Sequence, residues 1–118
     1  MNELRWADEI AALDVRLRRV GPTAYVSMSG EADICGWRAL NAMTDTLTND
    51  STAVSEVVFD LTGLTFACVR TMCVLTEVCR RLSSQGVHTS IRGMQPVVAR
   101  VANLVEADLP GVASISRN

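Results

Sequence analysis

The side chains able to do chemistry are few and scattered. The chain of 118 residues holds four cysteines, Cys35, Cys68, Cys73 and Cys79, and a single histidine, His88. No two cysteines have Cys-x-x-Cys spacing, and one histidine adds little to a ligand set, so a zinc site is not expected. The thiols read as reduced side chains packed like small hydrophobes. There is no Ser-His-Asp set and no glycine-rich phosphate cradle. An enzyme is therefore the least expected class, and no cofactor is expected. One stretch departs from this blandness, Asp60-Leu61-Thr62-Gly63-Leu64-Thr65-Phe66-Ala67-Cys68-Val69-Arg70-Thr71-Met72-Cys73. It follows an apolar run and leads into a helical pattern. A buried strand followed by a loop and a helix N-terminus is a common place for a recognition or phosphate site. A capping Asp or Ser is expected there, but Cys68, Val69 and Arg70 stand in its place. A thiol at a helix start beside an arginine is in a setting where thiols become reactive, so Cys68 is a candidate redox-responsive group.

The elements that must position this stretch follow from the pattern of apolar residues. Leu13, Val15 and Leu17 alternate with Asp14, Arg16 and Arg18, which reads as a half-buried strand. Gly21-Pro22 marks a turn, and Thr23 to Met28 returns as a second strand of a hairpin. Gly30-Glu31-Ala32-Asp33 reads as a polar loop. Asp33 can cap a helix from about Ile34 to Thr48, and it can equally contact a partner. Val57 to Leu61 is a short central strand. Val69 to Ser83 is the clearest helix, with Met72, Leu75, Cys79 and Leu82 at helical spacing. Gly86 stops it. Val87 to Ile91 is a strand, Pro96 opens a last helix, and Val112 to Ile115 reads as an edge strand. The alternation predicts a single α/β domain over residues 1–118, with 1–10 as an N-terminal extension. Its sheet is expected to be mixed and mostly parallel, with about five strands and the helices mainly on one face.

Composition narrows the function classes. Apolar residues make up 48% and charged residues 20%, which suits a folded core. A formal net charge of -2 argues against nucleic-acid binding, which needs a basic surface. No apolar run is long enough to insert into a bilayer, and no apolar segment follows a basic start. The cytoplasm is the expected location.

In this order and spacing, the elements resemble the STAS domain, the family of sulfate transporters and anti-sigma factor antagonists. Gly30-Glu31-Ala32-Asp33 is similar to the family's Gly-Glu-x-Asp. Val57-Val58-Phe59-Asp60-Leu61-Thr62-Gly63-Leu64-Thr65-Phe66 is similar to its strand-and-loop core. The long helix ending near Gly86, and the last helix with its short strand, complete the likeness. The resemblance implies a regulatory module for protein binding and transcription control. In the antagonist branch, such a module docks an anti-sigma factor that is also a serine kinase. That kinase phosphorylates a hydroxyl in Asp-Ser-Ser-Gly or Asp-Ser-Thr-Gly at the start of the second helix, and the added charge disrupts docking.

This chain departs from that motif. Counted from Asp60, the four motif positions hold Cys68, Val69, Arg70 and Thr71. Arg70 falls where the modifiable hydroxyl belongs, and a guanidinium accepts no phosphate there. The phosphosite is degenerate. Thr71, one position along, is the substitute acceptor to consider. The resemblance thus implies partner binding through Glu31, Asp33, Cys68, Val69, Arg70 and Thr71, with an anti-sigma factor of the serine kinase type or a related regulator as partner. The alternative is a subunit or accessory protein of a membrane transporter.

Overall fold

A computed structural model of the protein describes residues 3–7, 13–32, 37–49 and 54–105. Asp33, Cys35 and the expected edge strand at 112–115 lie outside the described residues. Among the described residues, five strands and three helices follow in the order β1 (Glu3–Ala7), β2 (Leu13–Val20), β3 (Thr23–Ala32), α1 (Trp37–Asn49), β4 (Glu56–Ala67), α2 (Val69–Ser84), β5 (His88–Arg92) and α3 (Pro96–Val105).

The strands lie side by side in chain order, β1-β2-β3-β4-β5. The β1–β2 and β2–β3 pairs are antiparallel, whereas β3–β4 and β4–β5 are parallel. The sheet is therefore mixed in equal parts, not mostly parallel as the sequence suggested. The difference arises at the N-terminus. Residues 3–7, read from sequence as part of an extension, form an antiparallel edge strand, with Arg5 opposite Arg16. Arg5 and Arg16 both reach the Asp14 carboxylate, at 3.0 and 3.5 Å, which offsets the repulsion between the two guanidinium groups.

Period-two patterning sets the faces. Leu13, Val15 and Leu17 of β2 are buried, as are Ala24, Val26 and Met28 of β3. Arg16, Arg18 and Ser27, which point the other way, are exposed. In register, Leu17 meets Val26, Val26 meets Phe59, and Phe59 meets Ile91. This row lies under the helices, whose buried residues include Leu40, Met43 and Leu47 from α1 and Met72, Leu75 and Leu82 from α2. On the opposite face Arg18 lies over the Tyr25 ring at 5.7 Å.

Two elements are longer than their sequence pattern indicates. β3 continues through Ala32, so Gly30 and Glu31 belong to a strand and not to a loop, with Gly30 at φ 95°. β4 runs to Ala67 through two irregularities. Asp60 pairs with Ser27 and Gly63 with Ser29, so Leu61 and Thr62 together face Met28 alone; a further extra residue, Thr65, follows. Gly63 permits this course, because a Cβ there would lie 2.8 Å from Ser29 Cβ.

Phe59 is fully buried at the centre of the sheet. Phe59→Ala is expected to lower unfolding free energy by about 3–5 kcal/mol. A chemical denaturation curve should show a lower midpoint with an unchanged slope.

Candidate functional site

The candidate site is the joint where the ends of β3 and β4 meet the start of α2. Its geometry starts at Asp60. Asp60 Oδ1 accepts hydrogen bonds from the Thr62 amide at 3.0 Å and from the Thr62 hydroxyl at 2.6 Å. These bonds turn the chain just where the β4 ladder is interrupted. Burial pushes the Asp60 pKa up, but the two Thr62 bonds and the nearby Arg92 outweigh it and hold the carboxyl below its usual value. The Gln95 side-chain amide donates to the Thr62 carbonyl at 2.9 Å, which ties this turn to the start of α3.

Further along, β4 is fastened to the end of β3. The Thr65 hydroxyl donates to the Gly30 carbonyl at 3.0 Å. The Ala32 carbonyl accepts from the Cys68 amide at 2.9 Å and from the Thr71 hydroxyl at 2.9 Å. A carbonyl oxygen has two lone pairs, and both are used here. The Cys68 sulfur lies 3.4 Å from the Thr71 hydroxyl oxygen. The single hydroxyl proton goes to Ala32, so the thiol is the donor in that contact.

This arrangement replaces an ordinary helix cap. Cys68 is the N-cap of α2, with extended backbone and no side-chain bond to the helix amides. The helix start is held instead by its fastening to β3. Thr71 is 2% exposed, with its hydroxyl turned inward. Arg70, one residue before it, is exposed. The step of about 100° per residue accounts for the contrast. No acidic residue occupies the first turn of α2, so Arg70 places a cation at the positive end of the helix. Such placement costs a helix about 0.3–1 kcal/mol. Helix stability is therefore no reason for an arginine here.

The structure brings Cys68, Val69, Arg70 and Thr71 to one helix start, with Glu31 exposed on the neighbouring strand end. Asp33 lies outside the described residues. Phe66 was not singled out in the sequence, yet it is 41% exposed beside Val69 at 51%. Simple strand alternation hides it, since the extra residue at Thr65 changes which side chains face out. A groove of about 590 Å³ runs from Arg70 along α2, between that helix and α1. Asn41, Thr44 and Asp45 line one wall, and Cys73, Val74 and Glu77 stand on the other.

The remaining chemical groups lie apart from the joint. Cys79 is buried in the core, where burial, partly offset by Thr89, pushes its thiol up to about 12. His88 is exposed on β5. Among the described residues, no group of three or more His, Cys, Asp or Glu could hold a metal ion. Among the same residues, no helix is long and apolar enough to cross a membrane.

Two substitutions probe the joint. Thr71→Val removes the hydroxyl but keeps the shape, and leaves the Ala32 carbonyl with only the Cys68 amide. It should cost about 0.5–1.5 kcal/mol in thermal or chemical unfolding. Asp60 and Asp14 both have lowered folded pKa values, Asp14 chiefly through its hydrogen bond from Arg5. Their contribution to stability is complete above the unfolded carboxylate value of about 3.9. It fades as pH falls below that value and through the folded values. Unfolding free energy measured against pH should therefore drop on acidification, and Asp60→Asn should flatten the drop.

No family model and no curated protein matches the sequence. Solved structures do match. An anti-sigma factor antagonist from Mycobacterium paratuberculosis superposes with a TM-score of 0.76 at 19% identity, covering 90% of this chain and 86% of that one. RsbS from Moorella thermoacetica gives 0.71 at 23% identity, over 88% and 86% of the two chains. Murine solute carrier 26 family member A9, an anion transporter in its inward-facing state, gives 0.59 at 10% identity, over 82% of this chain and 16% of the transporter. At these identities the likeness is one of fold, and the fold of this chain is that of the STAS domain found in anti-sigma factor antagonists.

Proposed function

We propose that the protein is a regulatory binding module that docks an anti-sigma factor, or a related regulator, through the start of α2, and that it works without a serine phospho-switch. The docking surface comprises Glu31, Asp33, Cys68, Val69 and Arg70, with exposed Phe66 at its edge. One observation carries the reading: an exposed cation stands at the helix start of a STAS fold, while the neighbouring hydroxyl of Thr71 is buried against the Ala32 carbonyl. Phosphorylation needs an accessible hydroxyl, and Thr71 would have to break its bond to β3 to offer one. Arg70 presents fixed positive charge in its place. Binding is then governed by how much of each partner is present, not by a modification cycle. The work of the module is binding, with no catalytic step of its own, and the partner meets it in the cytoplasm.

The fold likeness to an anion transporter favours a second reading, a subunit or accessory protein of a membrane transporter. The two readings separate by partner. Co-purification with a permease supports the second, and capture of an anti-sigma kinase supports the first.

Pull-downs with candidate anti-sigma kinases, with and without ATP, test the proposal. Binding should survive ATP, and mass spectrometry should find no phosphate on Thr71. Loss of binding accompanied by phosphate on the protein would contradict the reading. Arg70→Asp reverses the charge at the helix start and should weaken binding by about tenfold or more, the loss of one charge-assisted contact. Unchanged affinity would remove Arg70 from the interface.

A further inference from the structure

We propose that the groove between α1 and α2 is a self-association surface, and that its occupant is α2 of a second copy of this chain. The outer stripe of α2 forms one side of this surface. Arg70, Cys73, Glu77 and Arg81 are exposed and Val74 is half-buried. Their spacing of three, four and seven residues places them on one helical face. All five line the groove, and the stripe is about 16 Å long at 1.5 Å per residue.

This stripe is complementary to itself. When a second α2 lies antiparallel about an axis between residues 73 and 74, each residue faces the one whose number completes a constant sum. Arg70 then faces Glu77 of the second copy, and Glu77 faces Arg70 of that copy. Cys73 and Val74 meet at the axis, the two small apolar side chains where the helices come closest. The pairing is isologous, so it closes at two copies and leaves no free end. The α1 helices flank the pair and complete a four-helix layer with Thr44 and Asp45 on its walls.

The charges permit the exchange. Among the described residues Arg70 makes no ion pair, and it stands at the unfavourable end of its own helix. Glu77 pairs with Arg80 at 2.8 Å and Arg81 at 3.4 Å, but all three side chains are about half exposed or more. Surface pairs of that kind contribute little, so Glu77 loses little in accepting a further guanidinium. Two copies joined this way cover Arg70. Self-association and regulator docking at the start of α2 are then mutually exclusive, and the dimer is a stored form of the module. The pairing itself depends only on the α2 stripe and stands whether or not the regulator is an anti-sigma factor.

The test uses the purified full chain with no other protein. Sedimentation velocity over a concentration series should show a reversible monomer–dimer equilibrium. Arg70→Glu and Glu77→Arg should each weaken dimerisation by about tenfold or more, and the double variant should recover to within about threefold of the parent. Circular dichroism checks that every variant is folded. A short bis-maleimide should cross-link the parent through Cys73 to Cys73, as read from the joined peptide. A protein that stays monomeric up to about 1 mM overturns the proposal. So does a dimer indifferent to the single charge reversals, or a double variant no better than the singles.

Discussion

The Ala32 carbonyl oxygen is the constraint on which the site depends. It receives the Cys68 amide and the Thr71 hydroxyl together. A strand end, a helix start and the Thr71 side chain thereby become one unit. The fastening also makes a side-chain cap unnecessary, which is why a cysteine is tolerated at the N-cap of α2. With Thr71 drawn inward, helical geometry turns Arg70 outward. The exposed cation and the hidden hydroxyl are two consequences of one helical phase, and the pair of hydrogen bonds fastens the helix start in that phase.

That joint stands on the bulged second half of β4. Asp60 gathers the Thr62 amide and hydroxyl, Gly63 passes close against Ser29, and Thr65 bonds the Gly30 carbonyl. Each is a local interaction between short polar or absent side chains. Together they advance the chain along β3 without the regular ladder, so that Ala67 finishes opposite Ala32. Phe66 is left exposed by the same course, beside Val69. The apolar and cationic groups of the helix start are thus set by the irregularity of the strand before it.

Much of this was legible in the residues, because burial writes a period into the chain. Met72, Leu75, Cys79 and Leu82 place α2 almost to its ends, and the alternation of Leu13, Val15 and Leu17 places β2. Arg70 at the helix start follows from counting along the chain from Asp60. Other features were not legible, for physical reasons. β1 is a short edge strand with charged residues facing solvent, so it carries little periodic signal. The second half of β4 and the end of β3 read as loops, since bulges break the two-residue alternation and glycines suggest turns. Thr71 falls in phase with Leu75 and Leu82 on the buried side of α2, but the bond of its hydroxyl to a carbonyl 39 positions earlier is a contact that no local pattern reports. The groove between α1 and α2 is likewise a tertiary feature, although the α2 stripe that lines it can be read at helical spacing.

The most direct measurement is native-state hydrogen exchange of the Cys68 backbone amide. If the Ala32 carbonyl locks the joint, that amide should exchange only through an opening nearly as costly as that of the central β3–β4 ladder. Exchange at the rate of an unprotected loop amide would mean that the helix start is loose and that the Thr71 hydroxyl is available. The account of a fixed cation beside a sealed hydroxyl would then be wrong.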